Sequence, residues 1–507
     1  METELKLLLA AADVAALRRH PLLAKLAVRR EPAQSLVSTY YDTPDLYLKQ
    51  HGYVLRVRQK GQQRIQTLKH DGIASAGLYQ RAEWECPVST AEPDLSLLRA
   101  MPAMRKKVVR MLSAAGLAEN LTPIFSTKIR RTIWQLDTAR GDQIEFALDQ
   151  GQVECGTDKH EISEIELELK SGQPGALFEL ALNLHDTIAL RVSTTSKSDR
   201  GFDLLAPRAL TPVKTTAIVL PANCTAEDGM RIIIGNCLAQ IQDNEAGVLQ
   251  GRDPEYIHQM RIGLRRLRLA LELLHDIAPC NPEIAESLEW LAARLGMARN
   301  WDVLAFDILP GMAQEMPAET ELQTLQSAAI TVADRQRHSA AITISSARYS
   351  QLLLRLGGWL QGLDVAQSSP TEQQKIPSVP MKKFSSQILV HYRKKLKQRG
   401  KNLAMQDISA HHHLRIAAKK LRYASEFFQS RQSAPTTSAS AEALNQLLHI
   451  LGRINDVACA GELLRHLAEV APETAPSAGF ARGYLIGGAE KDAREARRIW
   501  QQLVRQS

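Results

Sequence analysis

Charged and apolar residues alternate with period two in segment after segment of the first 205 positions. Glu2, Glu4 and Lys6 share one parity around Leu5; Arg56 and Arg58 flank Val57; Arg81, Glu83 and Glu85 skip Ala82 and Trp84. Lys128 and Arg130 flank Ile129, Glu145 and Asp149 share a parity about Phe146, and Glu164, Glu166 and Glu168 enclose Ile165 and Leu167. Side chains of a strand point alternately to its two faces, so each segment predicts a strand with one charged and one apolar face. At least six such strands are predicted. The commonest cause of this pattern is an antiparallel sheet with one face in water. A wet face, however, normally mixes Thr, Ser and Gln with its charges, whereas these carry almost only full charges. If the strands close into a barrel with that face inward, the lumen gains two walls. One is of carboxylates, suited to hard divalent cations; the other is of Arg and Lys, suited to phosphate oxygens.

Beyond Leu205 the period changes. Residues 206–223 hold Pro207, Pro212 and Pro221 without periodicity and predict a linker. From 224 to 507 long Leu/Ala/Arg segments of helical period follow, interrupted near 365–380 and 430–440 by Pro-, Ser- and Gln-rich stretches. This helical part is duplicated. His258-x-x-Arg261-x-x-x-Arg265-Arg266-Leu-Arg268 aligns without gaps on His412-x-x-Arg415-x-x-x-Lys419-Lys420-Leu-Arg422, 154 residues later. A second pair, Leu295-Gly296 to Asn300 and Leu451-Gly452 to Asp456, follows in the same order, giving repeat halves of about 224–365 and 381–507. The spacing i, i+3, i+7, i+10 puts His258, Arg261, Arg265 and Arg268 on one helix stripe, and His412, Arg415, Lys419 and Arg422 on its counterpart.

Charge sharpens that picture. Residues 1–205 carry 27 Lys/Arg and 26 Asp/Glu, so of the chain's net +8 only +1 lies there and +7 falls on the remainder. Between Lys382 and Tyr423 there are twelve basic residues and one acid, Asp407. Basic stripes without acidic i+4 partners repel themselves unless a polyanion neutralises them. The run His411–His413 is not read as a metal site, because consecutive helical residues diverge around the axis. Six scattered cysteines with no Cys-x-x-Cys pair read as reduced thiols. No apolar run reaches membrane-spanning length and no signal peptide is evident, so the cytoplasm is expected and a membrane partner is not.

Residues 1–205 resemble the CYTH superfamily, or triphosphate tunnel metalloenzymes, which includes class IV adenylate cyclases, thiamine triphosphatases and bacterial inorganic triphosphatases. The resemblance rests on Glu2-x-Glu4-x-Lys6, Tyr40-Tyr41-Asp42-Thr43-Pro44, Leu55-Arg56-Val57-Arg58, Lys69, Gln80-Arg81-Ala82-Glu83-Trp84-Glu85, Ala147-Leu148-Asp149-Gln150-Gly151, Glu164-x-Glu166-x-Glu168 and Ser196-Lys197-Ser198-Asp199-Arg200-Gly201. The family also places a basic residue near Thr127–Arg131; parity with Lys128 favours Arg130 over Arg131. Residues 224–507 resemble the CHAD domain through the two His/Arg copies, and the whole chain is similar to two-domain CYTH–CHAD inorganic triphosphatases.

The implied fold class is α+β multidomain. It pairs an N-terminal closed antiparallel β-barrel, or tunnel, with flanking helices and an all-α domain of two pseudo-symmetric four-helix bundles. The implied activity is divalent-metal-dependent hydrolysis of inorganic tripolyphosphate. Arg56, Arg58, Lys69, Arg81, Lys128, Arg130 and Lys197 would bind phosphate oxygens. Glu2, Glu4, Asp149, Glu164, Glu166 and Glu168 would hold Mg²⁺ or Mn²⁺. Lys6, Glu4 and Glu166 would stand closest to the chemistry, with Lys6 either orienting the terminal phosphate or, at lowered pKa, moving a proton. Glu83, Glu85 and Glu145 would add ligands or brace the basic wall. The CHAD stripes would bind inorganic polyphosphate, with polyphosphate granules as an associated location. Alternatives remain an organic triphosphate such as thiamine triphosphate, a class IV cyclase, and a non-catalytic polyphosphate-binding protein. Nucleic acid is disfavoured, for no recognition motif and few stacking aromatics are present.

Overall fold

The computed structural model describes residues 2–505 apart from 71, 73, 208, 276–277, 317–320, 363–378, 402–407 and 432–437. It forms two compact units. One is Met1–Leu210 joined by the helix Ala347–Leu360; the other is the rest of the described chain from Thr211.

The first unit is built on one antiparallel sheet of twelve strands. These are β1 (Glu2–Leu9), β2 (Ala27–Arg30), β3 (Gln34–Asp42), β4 (Tyr53–Lys60), β5 (Gln63–His70), β6 (Ala74–Ser75), β7 (Leu78–Arg81), β8 (Glu83–Pro87), β9 (Thr122–Asp137), β10 (Gln143–Cys155), β11 (Asp158–Ser171) and β12 (Leu190–Val192). The order runs β6-β7-β1-β11-β10-β9-β3-β4-β5-β8, with β12 on β1 and β2 on β9. β7, next to the β6 end of this order, and β8, at its other end, are separated in sequence by Ala82 alone. The His70 N–H donates to the Ala82 carbonyl at 3.0 Å, so the sheet curls into a nearly closed barrel.

Register decides which face turns inward. Residues directly opposite on paired strands share a face. Glu4 stands opposite Glu168 and Lys6 opposite Glu166; Glu2 faces Arg81; Asp149 faces both Glu164 and Arg131; Lys69 faces Glu83. One continuous charged face results, and it is the lumen. The apolar face points outward and is covered instead: Leu55, Val57, Leu68 and Trp84 pack with Leu95 and Leu98 of the helix Leu95–Arg99 and with Val108 and Leu112 of the helix Lys106–Leu112. Each such side chain contributes about 1.5–3 kcal/mol by leaving water, so this barrel is stabilised from outside and polar within.

The helix Ala347–Leu360 is a departure from expectation, which placed it in the first half of the helical domain. It packs on the helix Gly175–His185, where His185 Nε2 lies 3.0 Å from the Ala347 carbonyl. A Cβ on Gly357 would stand 2.1 Å from the buried Phe178 ring, so only glycine allows the two helices this close. An amphipathic pattern shows that a helix must be covered but not by which unit. The expected linker differs too. Val213 N–H donates to Asn244 Oδ1 (3.0 Å), Asn244 Nδ2 donates to the Val213 carbonyl (2.9 Å) and Asn236 Nδ2 donates to Thr216 Oγ1 (2.8 Å), which strap this extended segment along the helical unit.

The helical unit shows the duplication. Its first half holds the helices Ala226–Gln242, Pro254–Leu274, Pro282–Asp302 and Glu321–Ser345. The second holds Met381–Gly400, Ile408–Phe427, Ser438–Val470 and Ala475–Arg505. Helices pack chiefly within their own half, while Trp301, Leu304 and Leu325 share a core with Leu464, Leu467 and Ala481. The interruptions expected near 365–380 and 430–440 lie largely outside the described residues. Among the described residues no helix is long and apolar enough to cross a membrane.

The Gly357 contact yields a prediction. Gly357→Ala should destabilise the barrel unit by about 1–3 kcal/mol despite alanine's better helix propensity, because the added methyl forces a shift against a close-packed ring. Chemical denaturation followed by Trp fluorescence measures this; unchanged stability would mean that the helix does not dock as described.

Candidate functional site

The barrel encloses a cavity of about 260 Å³ lined by eight cationic and seven carboxylate side chains. They are interleaved rather than sorted into two walls. Lys6 Nζ lies 2.6 Å from Glu4 and 2.5 Å from Glu166; Arg81 reaches Glu2 (3.0 Å) and Glu4 (3.3 Å); Lys69 bridges Glu2 (2.9 Å) and Glu83 (3.0 Å). The physical reason is that charges buried together lower their energy by alternating in sign. Arg131, itself part of the lining, holds the fully buried Asp149 behind it with two bonds of 2.7 and 2.6 Å and also contacts Glu166.

Lys197 enters from a helix rather than a strand. The helix Lys197–Leu205 starts with a capping box in which the Ser196 side chain accepts from Asp199 N–H while Asp199 accepts from Ser196 N–H. One turn on, a Cβ on Gly201 would lie 2.2 Å from the Phe125 ring, so glycine lets the helix seat on the barrel's apolar end. That seating places Lys197 Nζ 2.7 Å from Asp149, 2.5 Å from Glu164 and 2.7 Å from Glu166, with Arg200 2.8 Å from Glu164.

The helical unit gathers a second charged cluster. Arg261 and Arg265 of the first repeat, with Arg299, face Arg415, Lys419 and Arg422 of the second; Asp456 is the acid among them. Burial, then Arg265 and Arg299, pull the Arg261 guanidinium down to about 10, and burial with Arg265, Arg415 and Arg422 pulls Lys419 down to about 6. His258 falls to about 4 through burial and Arg299, so it is neutral at pH 7. His412 is exposed, with Nδ1 3.3 Å from Asn455 Oδ1. Arg268, expected on this stripe, is instead exposed and 3.5 Å from Glu289.

Residues 1–202 match the family model of the CYTH domain, and residues 232–465 match that of the CHAD domain. The chain is a CYTH domain followed by a CHAD domain. An inorganic triphosphatase of Haemophilus influenzae is 34% identical over 212 residues, 42% of this chain and 57% of that protein. The chain thus spans little more than half the length of that relative. The crystal structure of a CHAD domain from the plant Ricinus communis is similar at 36% identity with a TM-score of 0.52, covering 58% of this chain and 97% of that one. A Hippeastrum protein described as revealing a dominant triphosphatase activity is 21% identical at a TM-score of 0.31, over 41% of this chain and 98% of that one, which adds no weight to an activity.

Within the CYTH lumen, Arg58 has no carboxylate partner among the described residues; it donates to Ser38 Oγ at 3.2 Å, and burial, then Arg56 and Arg131, bring it down to about 10. That is a seat for an oxyanion. Burial and then the neighbouring Glu166 charge push the Glu4 carboxyl up. Glu2, Glu4, Glu166 and Glu168 place carboxylate oxygens on the adjacent strands β1 and β11, the ligand type that hard divalent cations take. Asp149, Glu164 and Glu166 form a second set, with ligand oxygens within 4.8 Å of one another. Its oxygens are engaged by Arg131, Lys197 and Arg200, so a cation there would have to displace them. Glu168 also meets Lys170 at 2.7 Å. Burial opposes charge on Lys6, but Glu166 and Glu4 outweigh it and hold the ammonium well above its ordinary pKa.

Lys128 and Arg130 require correction. Both point out of the barrel; Lys128 is 56% exposed and meets Glu154 at 2.7 Å. Arg131 points in. At this end of β9 the inward residues are Phe125, Thr127 and Ile129, with Phe125 and Ile129 packed on Leu36, Tyr40 and Val153, so the equation of charged with inward reverses. The missed signal was that apolar plug, whose odd-numbered parity Arg131 shares. Arg200 and Arg299 were also missed as site residues, although each lies in a motif already recognised.

Arg131 and Arg130 therefore separate sharply. Arg131→Gln strips a buried carboxylate of its bidentate partner and should cost about 3 kcal/mol; Arg130→Gln should change stability by less than about 0.5 kcal/mol. Equal effects in urea denaturation would refute this placement.

Proposed function

We propose that the CYTH domain hydrolyses inorganic tripolyphosphate to phosphate and diphosphate with Mg²⁺ or Mn²⁺, and that the CHAD domain binds inorganic polyphosphate. The observation that carries the first part is Arg58, a cation beside Arg56 without a carboxylate partner among the described residues, in one enclosed lumen whose lining also carries Glu2, Glu4, Glu166 and Glu168. An anion alone would be repelled by seven carboxylates and a cation alone by eight basic groups. A metal–polyphosphate complex satisfies both. The triphosphatase relative supports this choice of substrate.

In this reading Arg56, Arg58, Lys69, Arg81 and Arg131 bind non-bridging oxygens, and Lys197 completes the ring from its helix. Glu2, Glu4, Glu166 and Glu168 would hold the ion, which when bound supplies charge neutralisation and acidifies water. Lys6, fixed between Glu4 and Glu166, orients the terminal phosphate. Phosphoryl transfer requires positioning and charge compensation more than covalent help from protein groups, which suits a preorganised ionic lumen. The polyphosphate reading rests on the self-repelling CHAD cluster, whose cations lose their mutual penalty when a polyanion lies among them. A cytoplasmic location and association with polyphosphate granules belong to the same reading.

Phosphate release should be seen with tripolyphosphate and Mg²⁺ or Mn²⁺, exceed that with thiamine triphosphate, ATP or long-chain polyphosphate, and stop with EDTA; turnover surviving EDTA would rule out the metal role. Glu4→Gln and Glu166→Gln should reduce kcat and raise the metal concentration needed. Arg58→Met should raise KM at least about tenfold while leaving Tm unchanged or higher, because it removes an unpaired buried charge. Loss of Tm with intact KM would make Arg58 structural.

For the CHAD domain, joint charge reversal of Arg261, Arg265, Arg415 and Lys419 should abolish polyphosphate binding. Arg268→Glu should weaken it less than about threefold, as expected of an exposed charge. Affinity should fall steeply with salt. Binding unaffected by the fourfold reversal would remove the cluster from consideration.

A further inference from the structure

The second basic helix carries one polar group that the charge pattern does not explain. Tyr423 is 3% exposed, and its hydroxyl has no hydrogen-bond partner among the described residues. The first repeat has Leu269 at the matching position, 154 residues earlier, so the fold accepts a side chain without a polar atom there. A buried O–H without an acceptor costs stability unless something else supplies one. Its surroundings are cationic. The Arg422 guanidinium carbon lies 4.8 Å from the ring centroid, and Arg422 Nε is likewise buried without a partner. Arg415, two turns back on the same helix, lies within the electrostatic reach of the phenol. Tyr423 and Arg422 line an open cavity of about 680 Å³ together with the strapped segment 215–219. The one acid of that cavity, Glu426, is turned to Arg266 at 3.3 Å. Among the residues lining that cavity Arg422 is the cation, and none supplies the phenol with an acceptor.

We propose that Tyr423 is a specificity-determining residue of the CHAD domain, its O–H donating to a non-bridging oxygen of a polyphosphate chain held by Arg415 and Arg422. This rests on the polyphosphate reading and adds a neutral, directional contact to it. Cations attract any polyanion, whereas a phenol at a fixed point requires an acceptor oxygen there. Polyphosphate offers acceptors at every unit. Nucleic acid spaces its phosphates with sugars and meets that point less well.

The test is equilibrium binding of long-chain inorganic polyphosphate to the 507-residue protein in EDTA, with matched single-stranded RNA as the second probe. The reversal Arg261→Glu, Arg265→Glu, Arg415→Glu sets the background from the barrel and should lose most of the binding. Tyr423→Phe should bind polyphosphate about tenfold more weakly, with the slope of log affinity against log salt unchanged and Tm equal or higher. RNA binding should weaken less. Arg422→Gln should instead lower the salt slope by about one. Wild-type polyphosphate affinity in Tyr423→Phe, a lowered Tm, or equal weakening for RNA would overturn the proposal. Undiminished binding by the triple reversal would overturn the polyphosphate reading itself.

Discussion

Everything in the CYTH domain follows from closing a sheet with its charged face inward. A lumen of some fifteen ionised groups is tolerable only if nearly every charge meets an opposite one. That requirement sets the alternation of Lys6, Arg81, Lys69 and Lys197 with Glu2, Glu4, Glu83 and Glu166, and it explains why the apolar residues of the same strands are outside, under helices. The consequence is a preorganised cage. Its cations and carboxylates are held in place by each other, ready for a ligand of mixed charge, and little reorganisation is needed when one arrives.

The two domains share a physical device. Arg58 in the lumen and Lys419 between the CHAD repeats are buried cations beside other cations, and both are driven below their ordinary pKa values. Neither arrangement helps the free protein fold. Charges retained at such a cost are the mark of sites tuned for binding rather than for stability. The difference lies in the acids. The lumen interleaves seven carboxylates with its cations, whereas the acid beside the CHAD cluster is Asp456.

The domain organisation departs from a simple string. The helix Ala347–Leu360 belongs to the barrel unit although it lies within the helical sequence, and Gly357 against Phe178 fixes it there. The segment after Leu210, expected to be a free linker, is bonded along the helical unit through Asn236 and Asn244. Each unit thus owns a piece of chain that the sequence order would assign elsewhere or to neither.

Much was legible in the sequence because period-two and helical patterns are local. The alternation in Glu2–Lys6, Arg56–Arg58 and Glu164–Glu168 was enough to put one face of each strand in one environment, and the 154-residue repeat was enough to show two like helical halves. Which residue of a charged pair turned inward was not local. Lys128 and Arg130 obey the same alternation as Arg56 and Arg58 yet face water, because Phe125 and Ile129 plug that end of the barrel and invert the rule. Arg268 kept the helical spacing but stands exposed beside Glu289, whereas its counterpart Arg422 stays with Lys419 and Arg415. That Arg58 lacks a carboxylate and the Tyr423 hydroxyl a hydrogen-bond partner among the described residues was equally invisible. Lacking such a partner is a property of everything that surrounds a group, and only the tertiary structure supplies those surroundings.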